Sequence, residues 1–333
     1  MIPFDTAEMA TISDRALMFA SIVYALAMLA HIAEWARSLS HPAARAERAL
    51  REPVAVGATD TAGADRAETV DTDPAAVERW QLKVEASGRI GVALTVVAAG
   101  LHLLGVVSRG FATDPVRVPW GNMYEFTVTG SLVVTLTYLA LLRRLDLRWL
   151  GLFVTSFSVV VMMAANLLLA QEAGPLVPAL HSYWLVIHVG AAIVSTGAFT
   201  LGALASVVYL VKAQLEGRVR WQGLVRLLPG AEPLDRFAYR VHAVGFPIWT
   251  FAVLIAGPIW AEYAWGSYWN WDPKEVWAFI TWVCYAAYLH ARATAGWKGR
   301  AAALLALIGF ASLLFNFVGI NFFFGGGSMH SYA

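Results

Sequence analysis

Apolar residues in this chain come in long unbroken blocks, and that arrangement limits the fold more than any motif does. Eight blocks stand out, at residues 16–36, 89–108, 122–142, 149–170, 182–211, 240–262, 276–293 and 301–323. A helix of about 18–25 apolar residues matches the ~30 Å hydrocarbon core of a bilayer. Every backbone N–H and C=O inside that core needs an internal partner, so only helices and closed barrels cross it. The blocks are too long and too evenly apolar for barrel strands, which alternate. The chain is 59% hydrophobic and 14% charged, which leaves too few charges to cover a soluble surface. The expected fold is all-α: a polytopic transmembrane bundle of about eight spans, forming one membrane domain over residues 1–333.

The charges that remain fix an expected orientation. Alternate connections, namely 37–89, 143–148, 212–240 and 292–300, hold 20 of the Lys and Arg residues; the other side holds 4, Arg15, Arg109, Arg117 and Lys274. By the positive-inside rule the basic loops are cytoplasmic and both termini extracytoplasmic. Residues 38–80 are rich in Ala, Asp, Glu, Thr and Arg, and read as a disordered cytoplasmic loop. The first fifteen residues carry Asp5, Glu8 and Asp14 and no basic start, so no cleavable leader is expected. A net charge of +1 gives no general attraction to nucleic acid, and none is expected as a partner. The single cysteine, Cys284, allows no CxxC, so any thiol chemistry must come from another protein.

The connection between spans six and seven, taken as 263–277 and placed outside, carries the chemistry. Residues 265–277 hold four tryptophans, with Asp272, Lys274 and Glu275 among them. Scattered tryptophans would mark an interfacial belt, but a belt does not need an Asp-Pro-Lys-Glu insert. Trp265 and Trp269 are spaced to share one face of a helical turn, and Gly266 would let a flat ligand approach. A flat apolar platform edged with charge suits a planar amphipathic ligand such as a porphyrin. The histidines fall at two depths: His181, His188 and His330 on the outer side, His31, His242 and His290 on the inner. His102 reads as a packing residue and His181 as a rim residue. Two imidazoles on opposite faces of an iron make a bis-histidine haem site, and one such site fits each depth.

WGSYWNWDPKEVWAFITW (265–282), with YLH at 288–290, resembles the tryptophan-rich WWD motif of haem-handling membrane proteins. It is most similar to the CcsA/ResC type, also named CcsB in some bacteria, of System II cytochrome c biogenesis. PWGNMYEF (119–126), SYWLVIHV (182–189) and HSY (330–332) agree, and the resemblance covers roughly 85–333. It implies handling of haem b (iron protoporphyrin IX) as a bound substrate, delivered for covalent attachment to apocytochrome c at the outer face. The implied setting is the plasma (inner) membrane of a bacterium. The implied partners are a ResB-type membrane protein, an apocytochrome c with its CxxCH motif, and a thiol reductant for that apocytochrome.

By the same resemblance His188 and His330 ligate haem beside the loop. His290 ligates a haem within the membrane, its second ligand coming from the ResB-type partner, with His31 or His242 as local alternatives. Trp265, Trp269 and Trp271 form the platform; Asp272, Lys274 and Glu275 pair with propionates or orient the loop. No residue reads as a dedicated acid or base, so no catalytic residue is assigned and the chain is expected to be one component of a holocytochrome c synthase complex. The main alternative is a structural assembly factor that docks the partner without binding haem. A transporter using Asn166 and intramembrane histidines would call for broken helices and inverted repeats. A quinone-linked haem b oxidoreductase would keep its ligands within the spans, whereas His330 follows the last.

Overall fold

The computed structural model describes residues 5–40, 74–176, 180–324 and 327–330. Among them are eight long helices and no strand: α1 (Thr6–Leu39), α2 (Pro74–Phe111), α3 (Met123–Leu142), α4 (Gly151–Leu168), α5 (Tyr183–Leu215), α6 (Ala231–Trp265), α7 (Pro273–Ala293) and α8 (Arg300–Phe323). All but α7 are long and apolar enough to cross a membrane. The 21 residues of α7 have the length, but Trp, Tyr, His290 and Arg292 thin its apolar run. This is a multi-pass membrane protein. The stretch expected as a disordered loop, 38–80, lies mostly outside the described residues; at its edges α1 runs on to Leu39 and α2 begins at Pro74.

Small residues set the packing. In lipid there is no hydrophobic drive between helices, so close approach of backbones must supply the contact. α1 and α2 form a long antiparallel pair in which Gly105 receives Leu17 and Gly91 receives the His31 ring. α5 is the central helix, with 72% of its apolar window buried. Its buried face is largely small: Ser195, Gly197, Ala198, Gly202, Ala203, Ala205 and Ser206. One cluster joins α5 to α3, α4 and α6 around Tyr138, Leu150 and Leu201; another joins it to α6, α7 and α8 around Phe199, Trp249 and Tyr285.

The basic connections share one end of the bundle. Lys212 donates to the carbonyl of Leu228, Arg292 pairs with Asp235 at 2.6 Å, and Arg300 donates to the carbonyl of Ala213. The opposite end is closed by a buried ionic network. Glu125, with no exposure, accepts from Arg117 at 2.7 and 2.9 Å, from Arg109 at 3.3 Å and from the Gly121 N–H at 2.8 Å. Arg117 also donates to the Gly174 carbonyl and Arg109 to that of Gln171, so the α2–α3 and α4–α5 connections are tied together. Removing one partner of a buried network strands the others' charge, at about 3–5 kcal/mol. Glu125→Ala is therefore expected to lower the thermal unfolding midpoint in detergent far more than Asp14→Ala, whose side chain is 65% exposed. Equal midpoints for the two variants would show that the network does not hold this end.

Candidate functional site

Proline shapes the first part of the site. Pro258 has no N–H to give the helix ladder and its ring crowds the preceding turn. α6 answers with a π-turn over Ala252–Ala256 and continues unbroken to Trp265. The Ala252 carbonyl then accepts from the Gly257 N–H and, at 2.9 Å, from Nδ1 of His188 on α5. Gly257 makes the space: a Cβ there would stand 3.1 Å from Cε1 and Nδ1 of the imidazole. The His188 ring lies parallel to Trp260, 5.8 Å between centroids and 8° between planes.

The tryptophan-rich connection is shorter than expected, Gly266–Asp272. Gly266 takes φ +72° and closes α6 with its N–H on the Glu262 carbonyl. Trp265 therefore ends a helix while Trp269 lies beyond the turn, and the two do not share a helical face. Gly266 thus serves the backbone turn. Trp265 sits edge-on to Trp260 (4.7 Å) and to His330 (4.6 Å), whereas Trp269 meets Trp271 (6.0 Å) and Phe279. Trp271 has φ +56°, rare for a bulky side chain, and its indole is 76% exposed. Glu275 holds that kink: its carboxylate accepts the N–H groups on either side, Asn270 at 2.8 Å and Asp272 at 3.2 Å.

Asp272 does two jobs. It is the N-cap of α7, accepting from the Lys274 N–H, with Pro273 and Glu275 completing a capping box. The same carboxylate draws in the segment after α8. It accepts from the Ser328 hydroxyl at 2.9 Å, the Met329 N–H at 2.6 Å and Nδ1 of His330 at 3.0 Å. Burial alone would raise the Asp272 pKa; the hydrogen bond and charge of His330 and the two backbone donors outweigh it and hold the acid at about 2. Lys274, just outside the apolar stretch 276–293, is pushed down to about 8 by burial, partly countered by the Asp272 charge.

These side chains border one cavity of about 430 Å³. His188, His330, Trp260, Trp269, Lys274 and Glu275 line one end; Val134, Thr200, Trp249 and Phe310 line the other. His188 to Thr200 is twelve residues of α5, about 18 Å of helix, so the cavity reaches past the middle of a ~30 Å core. Among the described residues three buried polar atoms in the lining, Trp120 Nε1, Thr127 Oγ1 and Asn316 Oδ1, have no hydrogen-bond partner. Trp265 and Trp271, expected in the platform, do not line it. Trp260, a residue the sequence does not single out, packs against both histidines; Gly-Pro at 257–258, a break in the apolar block, is its one signal.

Both imidazoles present the same face chemically. The Ala252 carbonyl and the ionised Asp272 carboxylate only accept, so each Nδ1 carries the proton. Nε2 is then the nitrogen each ring can offer a metal, the arrangement of a ligand braced by a second group. Both rings lie within 6 Å of Trp260. His31 and His242 are braced at Nδ1 too, by the Glu34 carboxylate and the Ala238 carbonyl, but neither lines the cavity. His31 is buried against Gly91 and Gly151 with Nδ1 3.2 Å from Glu34. His242 is enclosed by Phe199, Tyr285 and Tyr288. His290 is exposed on the bundle surface. His102 is buried with Nδ1 3.3 Å from the Tyr24 hydroxyl, a packing position.

Fold and site together define a class: a multi-pass helical membrane protein whose deep apolar cavity is flanked at one end by two braced imidazoles. A family model described as cytochrome c assembly protein matches residues 120–326, which takes in every cavity-lining residue except His330, and the chain belongs to that family. It is similar to a "Cytochrome c biogenesis protein CcsA" of Guillardia theta, 38% identical over 234 residues, covering 64% of this chain and 76% of the relative. A protein of that name from Synechococcus sp. is 33% identical over 300 residues, covering 74% and 84%. One from Gloeobacter violaceus is 33% identical over 296 residues, covering 73% and 86%. The role of the chain lies in cytochrome c biogenesis.

Asp272→Ala removes the acceptor of three donors on residues 328–330. Amide hydrogen exchange at Met329 is expected to rise at least to that of a frayed terminus, while α5 amides stay protected. An unchanged Met329 rate would show that Asp272 does not anchor this segment.

Proposed function

We propose that this chain binds haem b in the cavity between Nε2 of His188 and Nε2 of His330, and delivers it to apocytochrome c at the outer face of the bacterial plasma membrane. The observation that carries the reading is the matched bracing of two rings that line one cavity: an acceptor engages Nδ1 of His188 and Nδ1 of His330, which leaves Nε2 as the ligand nitrogen of each. A cavity of about 430 Å³ is in the range of cofactor pockets. Its largely apolar wall, with few polar groups at one end, suits a ring with one acidic edge. The distribution of basic loops supports an outward-facing site.

Haem brings an iron with two axial positions and, on its rim, the vinyl groups that thiols add to. The protein's part is placement. Ala252 and Asp272 fix the angle of each imidazole, and Trp260 spaces the two rings. The apolar wall keeps water from the bound face. His330, carried on the segment after α8 and not within a helix, is the ligand better able to give way to the histidine of an incoming CxxCH. Positioning then supplies most of the acceleration. Thiols and reductant come from other proteins, since Cys284 is the only cysteine.

The exposed His290 supports a second haem shared with a ResB-type partner. Neither His31 nor His242 offers it a local companion: His242 packs on Tyr288, and His290 lies about 200° further round the same helix.

The test is an absorption spectrum of the complex purified with its partner. His188→Ala and His330→Ala should each lose the low-spin outer-site Soret contribution, and added imidazole should restore it. No Soret band in the wild type would favour an assembly factor that docks the partner without haem. His290→Ala should lose the membrane haem and leave the outer site depleted in vivo; an outer site that fills normally in that variant would end the transfer route.

A further inference from the structure

The charged groups at the cavity's histidine end are not equivalent. Asp272 is consumed by the α7 cap and the His330 segment, and Glu275 by the two N–H groups around Trp271. Lys274 is different. Its Nζ meets only neutral acceptors, Asn321 Oδ1 at 3.1 Å and the His330 carbonyl at 3.3 Å, and no carboxylate among the described residues lies within ion-pair distance. The Asn321 amide is itself held, its Nδ2 donating to the Phe317 carbonyl at 2.6 Å, so Oδ1 is turned to the ammonium. An ammonium has three donors and two are accounted for. A largely buried cation facing an apolar cavity is costly unless an anion meets it. Lys274, Asn321 and His330 line the same cavity as His188.

We infer that Lys274 is the residue that selects an acidic ligand: its free donor receives a carboxylate of the molecule held in the cavity. The inference rests on the haem-binding reading for the identity of that molecule, and it assigns the carboxylate partner to Lys274 alone among the three charged residues of the motif. The acidic edge of the porphyrin then lies toward the N-terminus of α7 and the opposite edge toward the apolar interior. The same ammonium touches the backbone of His330, so ligand charge and ligand geometry are read at one place.

The purified protein in neutral detergent is titrated with ferric protoporphyrin IX and with its dimethyl ester, followed at the Soret band. Wild type should prefer the diacid by about ten- to a hundredfold, the scale of one charge-assisted hydrogen bond. Lys274→Met should bind both alike while keeping the low-spin bis-imidazole spectrum, and Lys274→Arg should recover most of the preference. Asn321→Ala disturbs the same packing but keeps the ammonium, and should retain the preference. A Lys274→Met protein that still prefers the diacid overturns the assignment. So does a wild type that binds both porphyrins equally. Phosphatidylglycerol that abolishes the preference as well as excess diacid does would make Lys274 a lipid-phosphate site, and would also overturn it. Binding of neither porphyrin brings down the haem reading itself, and is told apart by the missing Soret band.

Discussion

The carboxylate of Asp272 accepts from the Lys274 amide, the Ser328 hydroxyl, the Met329 amide and the His330 ring, and each bond fixes a different thing. The first starts α7. The next two bring the chain end back over the tryptophan connection. The last decides which nitrogen of His330 carries the proton. A short carboxylate with no rotamer freedom left thus couples a helix start, a tertiary closure and a tautomer. That coupling explains why charge sits inside an otherwise aromatic stretch: this carboxylate supplies three of the bonds that hold the segment after α8 to the start of α7.

The other imidazole is fixed by backbone, not by charge. An α-helical carbonyl is normally spent on its own ladder, and in an apolar medium it has nothing to spare. The π-turn at Ala252–Ala256 changes the register so that one carbonyl serves both the helix and His188. α8 carries a second π-turn, Phe315–Gly319, where Asn316 and Phe317 face the cavity and Gly319 admits the Phe315 ring against Trp277. π-turns cluster at functional sites because they re-aim groups without breaking a helix. Here they replace the broken helices that a transporter would use.

Block length and apolarity made the helical membrane class readable, and the spans came out within a few residues at their apolar cores. Helix ends did not, because α1 and α2 continue as helix well past the hydrocarbon: Asp5 caps α1 at a polar start, and α2 begins at Pro74. At the site, residue types pointed to the right connection but not to the right contacts. Spacing predicts that Trp265 and Trp269 stack, yet one glycine with positive φ separates them. Asp-Pro-Lys-Glu is a helix-start pattern as much as a charged insert, and the structure uses Asp272 and Glu275 so. Trp260 was invisible among apolar neighbours, since nothing in a uniform block says which residue faces a cavity.

The two depths of histidine differ in kind. His188 and His330 are each braced at Nδ1 and line the cavity. At the inner end His31 and His242 are packed so tightly that a Cβ at Gly91, Gly151 or Gly202 would fall within 3 Å of them. Neither ring lines the cavity. His290 is the opposite case, exposed to the surroundings of the bundle. The cavity starts at the outer pair and stops near Phe199 and Trp249, short of the inner histidines. The cavity therefore offers no straight pore from His188 and His330 to His290 through the centre of the bundle.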